Sequence, residues 1–117
     1  MKFPNKLTSL ETFYEYLKEV LIESKSLTLG QIKKIFLKAL KDYFEKNIND
    51  NYLNTVACQL YHVLKPSYEI DLDRELGKTL SEATELNYYS KEKPKKYERV
   101  LKILKDYYQK NINFLKD

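Results

Sequence analysis

Apolar residues recur at spacings of 3, 4 and 7 along most of this 117-residue chain, the period of helices with one buried face. Leu10, Phe13, Tyr14, Leu17, Val20 and Leu21 form the first such stripe, which predicts a helix over about Ser9–Ser24. Thr8 and Glu11 stand in capping-box spacing at its start, so hydroxyl and carboxylate satisfy orphan amides reciprocally. Thr28 and Gln31 repeat that spacing and open a second predicted helix, which runs to about Asn47. Its stripe is Leu29, Ile32, Ile35, Phe36, Ala39, Leu40 and Tyr43. Leu37 and Phe44 widen it toward a second neighbour, and Lys34, Lys38 and Lys41 are expected on the far, solvated side.

A third helix is predicted to start at Asn49 or Asp50 and to end before Pro66, whose ring pushes residue 65 out of helical geometry. Tyr52, Leu53, Val56, Ala57, Leu60, Val63 and Leu64 are its apolar face. After the connector SYEID, a fourth helix from Asp71 or Asp73 to about Tyr88 turns Leu72, Leu76, Leu80, Ala83 and Leu86 inward. Gly77, Ser81 and Thr84 form a small-residue ridge beside that stripe. Glycine costs about 1 kcal/mol against alanine inside a helix, so a close helix–helix approach is expected at Gly77. SKEKPKK reads as a charged linker. Pro94 suits the first turn of a fifth helix, where its missing amide is no loss. The stripe of that helix is Tyr97, Val100, Leu101, Leu104, Tyr107, Tyr108 and Ile112. Five helices with short connections predict an all-α, compact bundle of about five antiparallel helices, one domain over residues 1–117. Composition agrees: Gly 2 and Pro 3 are too few for a turn-rich β domain.

One internal match tests this organisation. LKALKDYFEKNIND (37–50) and LKILKDYYQKNINF (101–114) agree at ten of fourteen positions. Their flanks do not: at the same offset, Phe13–Phe36 and Gly77–Val100 share only Ser26 with Ser90. The match therefore describes a kind of helix end rather than a duplicated domain. Lysine suits the negative end of the helix dipole, and Asn suits a left-handed exit residue.

Charge adds a layout. The first predicted helix carries Glu11, Glu15, Glu19 and Glu23 against Lys18, about −3; the fourth is also about −3 by count. The second is about +3 and the fifth strongly basic, within an overall net charge of only +4. That balance forces no nucleic-acid partner. The glutamate ladder faces away from the apolar stripe, where it is a solvated face or a docking face for a basic partner. Lys95, Arg99, Lys102, Lys105 and Lys110 line the polar side of the fifth helix and could track phosphates. Glu98 and Asp106 interrupt them, and the neighbouring tyrosines fall on the core stripe, so nucleic-acid binding there is expected to be weak. Tyr88 and Tyr89 are adjacent and cannot both point inward, which makes one an aromatic anchor of the kind enriched at interfaces.

Candidate chemistry is sparse. Cys58 and His62 sit four apart on the third predicted helix, a spacing open to a nucleophile and its base or to two zinc ligands. Zinc lacks further soft ligands, because the chain has one Cys and one His. A nucleophile lacks a Gly-rich or nucleophile-bearing turn. No P-loop, dinucleotide, EF-hand or zincin motif occurs, so neither cofactor nor metal is expected and no catalytic residue is assigned. A single cysteine and the lack of an apolar leader or span point to a cytoplasmic protein without a membrane partner. The function expected is a non-catalytic helical module that binds another macromolecule, foremost a protein, in the manner of an adaptor, inhibitor, immunity protein or small subunit. Its alternative is a nucleic-acid-binding accessory protein, and self-association into a homo-oligomer stays open.

Overall fold

The Thr28 side chain fixes where the first described helix starts. A computed structural model of the chain describes Glu15, residues 28–64 and residues 74–116. Within them lie α1 (Leu29–Phe44), α2 (Asp50–Leu64), α3 (Arg74–Ala83), α4 (Leu86–Glu92) and α5 (Pro94–Asn111), then a 3-10 turn at Ile112–Lys116. No strand occurs among the described residues. The predicted helix over 9–24 lies outside them except for Glu15, which is helical and exposed. Asp71, Leu72, Asp73 and the SYEID connector also lie outside.

The capping box at α1 forms as its spacing implies. Gln31 N–H donates to Thr28 Oγ1 (3.1 Å), and Thr28 N–H donates to Gln31 Oε1 (2.9 Å). Beyond it, every residue from Ile35 to Leu40 is buried, more than a full turn. α1 is therefore the central helix rather than a surface one. It packs against α2, α5 and the 3-10 turn. This corrects the expectation that Lys38 is solvated: it is 9% exposed, with Nζ 3.9 Å from the fully buried Asp42. Its methylene stem covers apolar surface while its charge meets a carboxylate one turn on. Lys34 and Lys41 are half-buried.

The end of α1 is a Schellman turn. Asn47 N–H donates to Asp42 O (2.8 Å), Lys46 N–H donates to Tyr43 O (3.0 Å), and Lys46 takes φ 65°. The left-handed exit residue is thus Lys46 and not an asparagine. In the matching C-terminal segment the helix continues through Asn111, whose Nδ2 donates to Tyr107 O (2.9 Å), and passes into the 3-10 turn. The connections explain the difference. After α1 the chain must reverse within Glu45–Asn49 to start α2, whereas after α5 it only folds back on α1, where Lys33 Nζ sits 4.8 Å from the Phe114 ring.

Asn49 caps α2 by accepting from Tyr52 N–H (2.8 Å), which leaves Asp50 as the first helical residue. Tyr52, Leu53, Val56, Ala57 and Leu60 are buried as their spacing predicts. α2 ends two residues before Pro66.

The fourth predicted helix is two helices. The chain breaks at Thr84–Glu85, restarts at Leu86, and runs to Glu92, through the first three residues of what reads as a linker. Neither Gly nor Pro causes the break; α2 does. Asn87 N–H donates to Asn54 Oδ1 (3.0 Å), supplying the cap that Glu85 does not. Cys58 S–H donates to the Thr84 carbonyl (3.4 Å), and Asn54 Nδ2 donates to Cys58 Sγ (3.7 Å). Asn54 and Cys58, one turn apart on α2, thus clasp both sides of the break. Gly77 is buried but Ser81 is exposed, so the small-residue ridge is not a continuous contact. Only Lys93 separates α4 from α5; Pro94 excludes it from helical geometry, and it sits at φ −138°, ψ 68°.

α5 runs antiparallel to both α1 and α3. Phe36 meets Tyr107 (ring centroids 5.8 Å) while Tyr43 meets Tyr97, which reverses α5 against α1. Lys110 Nζ reaches Glu75 Oε2 (2.9 Å), so the acidic α3 lies along the basic α5. The charge alternation is in part a match between neighbouring helices. The Cα radius of gyration, 13.4 Å, is that of a compact folded chain of this length, about 13 Å by scaling.

Candidate functional site: the elbow between α4 and α5

Leu86 and Tyr89 pin α4 to the core, so the helical rotation of 100° per residue forces Tyr88 outward. Tyr89 is 8% exposed and Tyr88 47%, with ring centroids 6.0 Å apart. Tyr89 O–H donates to Glu85 Oε2 (2.7 Å), and Lys96 Nζ lies 4.7 Å from its ring centroid. The bond to Glu85, then burial, push the Tyr89 phenol above its ordinary pKa, while Lys96 pulls the other way. A cation over an aromatic face is attracted by the ring quadrupole. The pair therefore locks the first turn of α5 onto α4.

The one-residue elbow encloses an open concavity of about 660 Å³ lined by Glu85, Tyr88, Tyr89, Glu92, Lys93, Pro94, Lys95, Lys96 and Arg99. It joins two sets that the sequence leaves separate: the tyrosine pair and the start of the basic row. Lys93, Lys95 and Arg99 are exposed and take part in no ion pair among the described residues. The first turn of α5 holds no acid, and Lys93 gives it no side-chain cap. A second, smaller concavity of about 270 Å³ shares Lys96 and Arg99 with it and is lined also by Glu82 of α3, Val100 and Ile103. Ile103, 38% exposed, and Tyr88 are the large exposed hydrophobics among the described residues.

The other basic candidates do not converge here. Lys102 and Lys105 are exposed but line neither depression, and Glu98 and Asp106 are exposed among them. Lys110 is tied to Glu75, which holds the Glu75 carboxyl below its ordinary pKa and raises that of Lys110. Glu11, Glu19 and Glu23 lie outside the described residues.

Cys58 and His62 form no dyad among the described residues. His62 is exposed, and the thiol spends its bonds on Asn54 and Thr84. Burial, then the Glu85 charge, raise the Cys58 pKa, which keeps the thiol protonated at neutral pH and works against a thiolate nucleophile. No group of three or more His, Cys, Asp or Glu among the described residues is placed to hold a metal ion. No described helix is long and apolar enough to cross a membrane.

Sequence reasoning missed a second polar cluster. Tyr43 O–H donates to Asp50 Oδ1. Tyr97 O–H lies 2.9 Å from Oδ1 and 3.0 Å from Oδ2, and the two hydroxyls are 3.2 Å apart. Burial first, with Asp50 adding, raises the Tyr43 pKa; burial and the Asp50 bond outweigh the Tyr43 contact and raise that of Tyr97. The cluster ties α1, α2 and α5 together at one end, beside an open concavity of about 700 Å³ that includes Phe44, Ile48, Tyr52 and Leu101. Tyr43 and Asp50 are close in sequence, but nothing local signals Tyr97. Comparison of the chain with protein-family models, curated proteins and solved structures finds no match.

Proposed function

We propose that this protein is a non-catalytic helical module that binds another protein through the elbow between α4 and α5. One observation carries the reading: Tyr88 stands 47% exposed on a helix whose neighbouring tyrosine is buried and locked, amid cations that have no ion pair among the described residues. An exposed aromatic flanked by charge resembles the anchor and rim of a protein interface. The protonated, hydrogen-bonded Cys58 thiol favours a binding role over nucleophilic catalysis. A lone thiol suits a reducing, cytoplasmic setting.

The alternative is nucleic-acid binding along α5, favoured by the exposure of Lys95, Arg99, Lys102 and Lys105. It ranks second because Glu98 and Asp106 share that exposure, Lys110 is tied to Glu75, and Tyr107 is buried. The test is affinity capture from native extract of the source cells, with nuclease added, using the wild-type chain beside Tyr88→Ser combined with Arg99→Glu. A protein retained by the wild type and lost by the variant supports the reading. Identical retention by both, or a retained partner that nuclease removes, refutes it.

A further inference from the structure

We infer that the occupant of the elbow is an acidic peptide segment carrying an apolar anchor, with the anchor against Tyr88 and Pro94 and its carboxylates over Lys95 and Arg99. This rests on the protein-binding reading and names the chemistry of the partner.

The charges around the concavity decide the sign. Its lining holds the cations Lys93, Lys95, Lys96 and Arg99 against Glu85 and Glu92. Internal contacts engage one of each: Glu85 accepts from the Tyr89 hydroxyl, and Lys96 lies over the Tyr89 ring. Three cations then face one carboxylate. A neutral or basic segment docked there strips water from those cations without replacing it, a cost of the kind that excludes wrong partners. An acidic segment pairs them, and Arg99 offers a planar fork suited to a carboxylate. The uncapped, acid-free first turn of α5 adds potential of the same sign.

The apolar requirement follows from Tyr88 and Pro94. Both are exposed, and a tyrosine fixed on a short helix presents contact area at small entropic cost. The concavity, about 660 Å³ and open to solvent, has the volume of a few side chains, which suits a peptide segment. Glu82, on the α3 wall beside Arg99, repels carboxylates farther along the groove. The acidic residues are thereby confined to the α4 end, near the anchor.

Fluorescence anisotropy with labelled synthetic peptides tests this: one rich in Asp and Glu with a central Leu, one with that Leu replaced by Ser, and one with Lys in place of the acids. An oligothymidylate of matched charge serves as the nucleic-acid probe. The first peptide binds, the Ser version binds about tenfold more weakly, and the Lys version does not bind. Arg99→Glu weakens the first peptide about tenfold, whereas Lys78→Glu, an equal charge reversal on the exposed side of α3, changes it less than about twofold. Equal losses from both reversals overturn the inference, since general charge attraction then suffices. Tighter binding of the oligothymidylate overturns it in favour of nucleic acid. If no acidic peptide binds while the captured protein is still lost on Tyr88 substitution, the peptide chemistry is wrong and the protein-binding reading stands. Loss of neither sinks both. Circular dichroism of each variant separates a binding loss from unfolding.

Discussion

Replacing Lys46 by glycine is expected to stabilise the protein, although it deletes a side chain and adds no contact. Lys46 holds φ 65° in the Schellman turn, with both of that turn's hydrogen bonds made through the backbone, at 2.8 and 3.0 Å. A side chain in the left-handed region costs about 1–2 kcal/mol from the Cβ–carbonyl clash, and glycine carries no such clash. Against this, glycine gives the unfolded chain more freedom, which returns about 0.5–1 kcal/mol. Lys46 is exposed and in no ion pair among the described residues, so little else is lost. The net is a gain of about 0.5–1 kcal/mol, or roughly 2–5 °C in Tm for a domain of this size. The matching position of the repeated segment supplies the control. Lys110 is inside α5, where glycine meets no clash to relieve and the bond to Glu75 is also lost, so Lys110→Gly lowers Tm and melts below Lys110→Ala, which loses only that bond. Parallel thermal melts of the two variants by circular dichroism decide the matter. Equal signs refute the assignment of different backbone states to two nearly identical segments.

Further expectations rest on individual side chains. Asn54→Ala removes the acceptor of Asn87 N–H and the donor to Cys58, and should cost about 1–2 kcal/mol in urea unfolding; Cys58→Ser keeps a donor for Thr84 and should leave partner binding unchanged. Tyr97→Phe should cost about 1–2 kcal/mol by removing a bond to the Asp50 carboxylate, and a neutral result in denaturation would mean that water replaces it without loss. Because the Tyr43 and Tyr97 pKa values are raised in the folded state, their contribution is intact below the ordinary phenol value of about 10. It is lost as the pH rises above that, where the unfolded chain ionises first, so melts in the alkaline range should fall more gently in Tyr97→Phe. Nucleic-acid binding through Lys95, Arg99, Lys102 and Lys105 should show a log–log salt slope of about −4 and vanish near physiological salt. The joint replacement of Lys95, Arg99 and Lys102 by Glu should preserve helical content, and sub-micromolar binding that persists in salt and is abolished by that replacement would reverse the ranking of partners.

Signals contained within a turn or two of chain were legible in the sequence. Thr28 with Gln31 and Pro94 at the head of α5 act within three residues, so spacing alone predicts them; for α2 spacing narrows the cap to Asn49 or Asp50, and Asn49 takes it. The apolar period likewise assigned nearly every buried position of α2 and α5. Adjacency showed that one of Tyr88 and Tyr89 must face out, while which one depends on Leu86 and Tyr89 sharing the buried side of α4. Only tertiary structure decided the rest. The segments from Leu37 and Leu101 share ten of fourteen residues, yet Lys38 and Asp42 are buried where Lys102 and Asp106 are exposed. Lys46 turns left-handed where Lys110 stays helical, because the chain must reverse within Glu45–Asn49 to start α2, whereas after α5 it passes into the 3-10 turn. The break after Ala83 is set by Asn54 and Cys58, about thirty residues earlier, and the cluster at Asp50 is completed by Tyr97, which the chain reaches 47 residues later. A local pattern reports what a helix offers to its surroundings. Which neighbours take up that offer, and so where a lysine is buried or an aromatic is ringed by cations, is fixed by contacts between residues far apart in the chain.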